Sequence, residues 1–357
     1  MPKNVDRRPT LADVAALSGM SKTAVSMILN DRPGSRLSAD AARRVRAAAE
    51  ELGYRPNPAA QSLRLGRTKT LGFISDQITV TRYASEMIRG LLSAAKEHGH
   101  TVLIAETEGD DATISDEIQA MIDRRVDGIL IGLLGARVIE VPETPADVPV
   151  VIVNGTSTTG HPSVLPDERT AGHAMARLLT DAGHRRVGVI GNNPHAVSSP
   201  LHSVTIGPRF DGIRAAFAEA GVAPFIMDVP EWNPDIGYTR TLQMLDAHPD
   251  ITAILAGNDG VAFGTYQAIA ERGLRVPDDI SVASFDDEEL AGFQRPGLTT
   301  ARLPYDVMGR TAVEMLLGER PLDAVLIPMP VIERASIRAL DRPAEIHSGE
   351  SISSPEA

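Results

Sequence analysis

Apolar positions change period once along the 357-residue chain. In the first 55 or so residues they recur at helical spacing in short blocks. Leu11, Val14, Ala15 and Leu17 form one stripe; Ala41, Val45, Ala48 and Leu52 form another. Thr10 opens the first block with Asp13 three residues on, a capping-box-like start, and Ser21 and Ser38 stand as N-caps before two further helices. Gly19 and Gly53 end the first and third of these, and Asn30, Pro33 and Gly34 mark a turn-rich loop. From Thr70 the pattern changes. Short apolar runs at 71–74, 102–105, 128–133, 150–153, 187–190, 253–255 and 281–285 alternate with amphipathic segments at 86–97, 114–123, 171–181, 209–220, 237–247, 261–271 and 307–317. Strand alternating with helix predicts parallel, helix-covered sheets. AAKEHGHTVLIAE and LLTDAGHRRVGVI both run helix, Gly-His, strand, which suggests two successive α/β lobes with a ligand cleft near the carboxyl ends of their strands. Residues 341–357, rich in Ser, Pro and Glu, predict a disordered tail.

The first block carries the sharpest motif. TLADVAALSGMSKTAVSMILN places Ala15, Gly19 and Val25 at the offsets of a helix-turn-helix. A small residue lets two helices cross closely, a glycine takes positive φ where the first helix stops, and Val25 points back into the crossing. The N-terminal residues of the second helix then face DNA base edges. After it, 54–66 (YRPNPAAQSLRLG) contains a capping Asn57 and a helix-starting Pro58, and Gly66 stops the helix within about two turns. A helix this short is marginal alone and needs a partner to order it.

Charge first opposes DNA binding and then supports it. The whole chain is at −12, but residues 1–69 hold 13 Lys+Arg against 6 Asp+Glu, a net of +7, and the remainder is at −19. A basic head on an acidic body keeps phosphate attraction local. With no cysteine, thiolate metal sites, disulfides and cysteine nucleophiles are excluded. No apolar run reaches a membrane span and MPKNVDRRPT has no signal-like apolar stretch, so a cytoplasmic, nucleoid-associated protein is expected, with no membrane partner. No P-loop, GxSxG elbow or HExxH motif is present. An enzyme is therefore not expected, and no cofactor or metal is implied.

TLADVAALSGMSKTAVSMILN, ELGYRPNPAAQSLR, RRVDGILIG, LAGNDGVAFGTYQAIAERGLRVPDDISVASFDD, LTT and IERAS, in that order, resemble the lac-repressor (LacI/GalR) family over nearly the whole chain. The resemblance implies an all-α helix-turn-helix domain (1–56) and a hinge helix and linker (57–69). It also implies a two-lobed α/β periplasmic-binding-protein-like core with parallel sheets (70–340). The first lobe is expected at about 70–160 and 303–328, the second at about 161–302 and 329–340. A homodimer on a near-palindromic double-stranded operator with a central CG step is implied, its affinity set by a small effector. No leucine heptads follow Asp341, so a coiled-coil tetramer is not expected.

The resemblance places Lys22, Thr23 and Met27 at the base-reading positions. Lys22 can donate to guanine, Thr23 can bond an edge or touch a thymine methyl, and Met27 offers only apolar contact, most naturally to a thymine methyl. Ser21, Ser26, Asn30 and Tyr54 suit phosphate oxygens, although Ser21 can serve only as a cap and Tyr54 only as packing on the third helix. In the hinge, Leu63 matches the residue that wedges between base pairs from the minor groove, with Asn57, Ala60 and Gln61 along the groove; the alternative is a linker residue resting on the core.

For the effector, Arg209 lies at the family's effector-binding arginine. Asn154, Asn258 and Asp286 follow strands, where α/β ligands bind, and their donors and acceptors suit vicinal hydroxyls. Trp232, the single tryptophan, lies in a loop and can face a sugar ring, or else fix that loop to its own lobe. Tyr83 aligns with an aromatic contact of the first lobe. Each polar residue has a plainer role: Asn258 and Asp286 can cap helices, and Arg209 can pair with a surface acid. Ser203 stands where the purine-responsive branch has an arginine. A sugar or sugar derivative is therefore the expected effector, a mono- or disaccharide or a sugar phosphate. The alternatives are a purine-responsive repressor, a sugar-binding protein without a regulatory role, and a sugar-converting enzyme.

Overall fold

The structure, a computed structural model, describes residues 7, 9–30, 37–55, 66–79 and 85–340. The chain divides into two compact units, Met1–Lys69 and Thr70–Ala357.

The first unit holds α1 (Leu11–Ser18), α2 (Lys22–Leu29) and α3 (Ala39–Glu51). Asp13 accepts hydrogen bonds from both the amide and the hydroxyl of Thr10 at 2.7 Å, so the start of α1 is closed by its own side chains. Ser21 and Ser38 accept from the amides of Ala24 and Ala41. Gly19 ends α1 at φ +67°, and Val14, Val25 and Val45 are fully buried together with Ala15, Ala41 and Ala48. The core is small because each helix contributes only two to four buried side chains.

The second unit contains two six-stranded sheets. The first uses β1 (Thr70–Asp76), β2 (Thr101–Glu106), β3 (Ile129–Leu133), β5 (Val150–Val153), β7 (Ser163–Pro166) and β13 (Ala324–Ile327), in the order β13-β7-β5-β3-β1-β2, with all pairings parallel. The second uses β8 (Val187–Asn192), β9 (Phe225–Asp228), β10 (Ala253–Ala256), β11 (Ser281–Asp286), β12 (Thr299–Arg302) and β14 (Val331–Ile332), in the order β14-β12-β11-β10-β8-β9. The last pairing, β12 with β14, is antiparallel, a departure from the wholly parallel expectation; β14 follows β13 after only three residues and meets its sheet at the edge. A small parallel pair, β4 (Val138–Ile139) and β6 (Thr156–Ser157), sits on the first lobe.

The covering helices are α4 (Ser85–Glu97), α5 (Asp111–Asp123), α6 (Glu168–Asp181), α7 (Pro194–Ser198), α8 (Ile206–Glu219), α9 (Pro234–Ala247), α10 (Asp259–Glu271), α11 (Glu289–Phe293) and α12 (Tyr305–Leu316). Among the described residues no helix is long and apolar enough to cross a membrane.

Two expectations change. β7 belongs to the first sheet, so the chain crosses between lobes after Pro166 and not near 160. SVLP is too short an apolar run to stand out as a strand without its neighbour β5. The two helix–Gly-His–strand segments are not equivalent. One leads from α4 into β2, the edge strand; the other leads from α6 into β8, an inner strand. Both close their helix with a glycine at positive φ, Gly99 and Gly183. The duplication lies instead in the strand order of the two sheets.

Candidate functional site

The first unit presents its predicted DNA-facing residues on α2. Lys22 and Thr23 are exposed at its N-terminal turn, with Ser26 and Met27 half-buried behind them. Ser21 is exposed, but its hydroxyl already accepts from Ala24 at 3.1 Å. Asn30 turns back on α2, donating to the Ser26 carbonyl at 2.6 Å. Tyr54 rests against the three-helix core, and burial raises its phenol. Asn57, Ala60, Gln61 and Leu63 lie outside the described residues, as do the 341–357 tail and Tyr83.

The second unit gathers polar side chains at the carboxyl ends of its strands, where the missing next turn of strand leaves room. Arg209, in the first turn of α8, is 3% exposed. Its Nε and Nη2 donate to the two oxygens of Glu168, each at 2.6 Å, and Nη1 donates to the Gly257 carbonyl at 2.5 Å. Helix crossing makes this pairing possible. A Cβ on Gly172 would lie 2.0–2.1 Å from backbone of α8, and one on Gly212 the same from backbone of α6, so only glycines let the two axes approach this closely. Glu168, the first residue of α6, is then brought onto the first turn of α8. Burial works against the Arg209 charge, but the Glu168 carboxylate outweighs it and holds the guanidinium protonated.

Around this pair the other predicted residues converge. The Arg209 guanidinium lies 4.4 Å from the Phe285 ring and 5.0 Å from the Trp232 ring. Trp232 donates its indole N–H to the Gly191 carbonyl at 2.7 Å, and its ring lies against Gly257, where a Cβ would meet it at 3.0 Å. Asp286, at the end of β11, has an oxygen 3.8 Å from Arg209. Its φ is +108°, an uncommon conformation for a non-glycine residue. Burial pushes its carboxyl well above the ordinary range, against the pull of Arg209. Asn258 follows β10 and caps α10, accepting from the Val261 amide at 2.9 Å.

On the first lobe, Asn154 adopts φ +60° after β5 and donates to the carbonyls of Leu133 and Leu134 at 2.9 and 3.1 Å. Its nitrogen is engaged by the scaffold. Nearby, Asp76 at the end of β1 pairs with Arg137 at 2.5 Å. The lobes touch here: Val138 donates to the Pro200 carbonyl at 3.0 Å, and Val204 to the Ala136 carbonyl at 2.7 Å. Ser203 is buried and caps the start of α8, accepting from the amides of Thr205 and Ile206.

The structure therefore brings Arg209, Trp232 and Asp286 together, sets Asn258 beside them in sequence with Gly257, and gives Asn154 a largely structural bonding pattern. Sequence reasoning placed Asp259 with Asn258 at a strand end, and it missed Glu168, Asp76 and Arg137. Asp259 is 2% exposed and accepts from Ser284, from Thr300 at 2.9 Å and from the Glu288 amide at 2.8 Å; burial pushes it up to about 7. The strand-end rule finds Glu168 only once β7 is recognised as a strand.

Comparison with known proteins places both units. Residues 10–57 match the family described as bacterial regulatory proteins, lacI family, and 176–337 match a periplasmic binding protein-like domain. The chain is 33% identical to the ribose operon repressor of Escherichia coli (strain K12) over 86% of its own length and 92% of that protein. It is 30% identical to the HTH-type transcriptional repressor PurR of Vibrio atlanticus (strain LGP32) over 93% and 99%. Among solved structures, the lac repressor dimer bound to operator and the anti-inducer ONPF superposes with a TM-score of 0.73 at 26% identity, covering 93% of this chain and 100% of that one.

Proposed function

The chain belongs to the lacI family of bacterial regulatory proteins, and from that premise we propose how this ligand-regulated DNA-binding repressor reads its operator and what it senses. Its members are transcriptional repressors and not enzymes. The effector is a small sugar or sugar derivative, and the genes repressed serve carbohydrate use. The observation that carries this reading is the cluster of Trp232, Arg209 and Asp286 at the strand ends of the second lobe. An indole face beside a guanidinium and a carboxyl group offers apolar contact to a sugar ring and paired donors and acceptors to its hydroxyls. The ribose repressor among its relatives supports a sugar; PurR among them keeps a purine as the second reading. Against the purine, Ser203 is occupied in capping α8.

On DNA, a homodimer sets Lys22, Thr23 and Met27 of each copy in the major groove of a near-palindromic site, with Ser21, Ser26, Asn30 and Tyr54 toward phosphates. Leu63 wedges into a central CG step, flanked by Asn57, Ala60 and Gln61. Asn154, Asn258 and Tyr83 complete the effector site. The protein acts in the cytoplasm, on the nucleoid. An inducing ligand loosens the two hinges and a corepressor tightens them, according to which lobe arrangement the ligand prefers. Titration of Trp232 fluorescence with a sugar panel, followed by operator binding with and without the responding sugar at several salt concentrations, tests the whole reading. A response to nucleobases alone would sink the sugar assignment.

A further inference from the structure

Among the described residues the arginines at the strand ends of the core are each matched by a carboxylate; Arg302, the last residue of β12, pairs with Glu86 at 3.1 Å. Arg209 is bound by both oxygens of the buried Glu168, and Arg137 by Asp76. A guanidinium has five N–H donors. Glu168 takes two from Arg209 and the Gly257 carbonyl a third, which leaves at most two for a ligand. One of them is on Nη2, which lies 3.8 Å from an Asp286 oxygen. A hydroxyl fits such a place, accepting from Arg209 while donating to Asp286. A phosphate or carboxylate does not: among the described residues the cation at this place, Arg209, is already compensated by the Glu168 carboxylate, which the anion would meet at close range. The N-termini of α6 and α10, another source of positive potential, are also occupied. Glu168 and Asp259 stand first in α6 and α10, and Asp167 and Asn258 cap those helices from Thr170 at 3.2 Å and Val261 at 2.9 Å.

We propose that the effector is an uncharged sugar or polyol, and that Glu168, by neutralising Arg209, is the residue that excludes phosphorylated and carboxylated sugars. This rests on the sugar reading given above and narrows it, since a sugar phosphate satisfies that reading equally well. Glu168 acts through Arg209 and is a positioning residue; its signature is selectivity.

The test uses the full chain and matched probes: D-ribose with D-ribose 5-phosphate, D-glucose with D-glucose 6-phosphate, and D-fructose with D-fructose 6-phosphate, plus hypoxanthine and guanine. Affinity is read by calorimetry and by Trp232 fluorescence. The neutral member of the responding pair should bind tighter than its phosphate, on the order of ten- to a hundredfold at the separations involved. Glu168→Gln, which retains an acceptor but removes the charge, should collapse or reverse that ratio, and Glu168→Asp should keep its sign. Tighter binding of a phosphorylated member to the wild type overturns the neutral-ligand inference and leaves the sugar reading standing. Binding of a purine alone, or no response to any sugar, overturns the sugar reading itself. An unchanged ratio in Glu168→Gln overturns the role of Glu168. Should Glu168→Gln fail to fold, the wild-type ratio and Glu168→Asp still decide the proposal.

Discussion

The DNA-binding unit and the effector core use polar side chains in opposite ways. On α2, Lys22 and Thr23 are exposed, and no hydrogen bond is described for either side chain. In the core, Arg209, Glu168 and Asp259 are buried, the Asp286 side chain is 8% exposed, and the four are joined to one another or to neighbouring groups. A reading head must keep donors open for base edges, and water satisfies them until DNA arrives. A ligand site inside a folded lobe has no such reservoir, so its polar groups must be partnered by protein even when empty. Function and stability are therefore separable in the first region and fused in the second.

The largest expected effect breaks that fusion directly. Arg209→Ala leaves the Glu168 carboxylate buried without its partner, and the core should lose about 3–5 kcal/mol of stability together with its ligand response. Urea unfolding followed by far-UV circular dichroism measures the first and calorimetric titration the second. A variant that loses ligand binding at wild-type stability would show that the pair is not structural.

Next comes Asp259, whose carboxyl burial raises from 3.8 to about 7. An acid with a raised folded pKa holds its proton more tightly in the folded state. Stability is then greatest below about pH 4 and falls as pH rises toward 7, by up to about 4 kcal/mol for this group. Asp259→Asn removes the titration, so the difference between wild type and variant should change across pH 4–7. Parallel curves would place the proton elsewhere.

Lys22→Ala provides the contrast. Operator affinity should drop by about 1–3 kcal/mol, measured by anisotropy at fixed salt. Its melting curve should stay within about 0.5 kcal/mol of wild type. The smallest effect tests the exception on α2: Ser21 has an engaged hydroxyl, so Ser21→Ala should cost about 1 kcal/mol of stability in a thermal melt. No loss there would mean that the cap contributes nothing and that Ser21 serves DNA alone.

Legibility in the sequence follows the same division. The helix-turn-helix could be read because its determinants are local: a cap, a glycine at a helix end and an apolar stripe all lie within a few residues of one another. The strand-end residues Asn258 and Asp286 could be read for the same reason, each directly following an apolar run. Glu168 could not be. It lies 41 residues from Arg209, and the contact exists only because Gly172 and Gly212 let α6 and α8 touch backbone to backbone. The burial of Asp259 was hidden likewise, since its partners Ser284 and Thr300 come from two later strands.

By itself, then, the sequence determined the two architectures, the residues exposed for DNA and the end of the core at which a ligand would be bound, because periodicity and capping are properties of neighbours along the chain. Tertiary structure alone decided that the arginine at that site is already neutralised. Charge balance in a buried site depends on which helices and strands meet, and that meeting is set by helix crossing and sheet order over tens of residues.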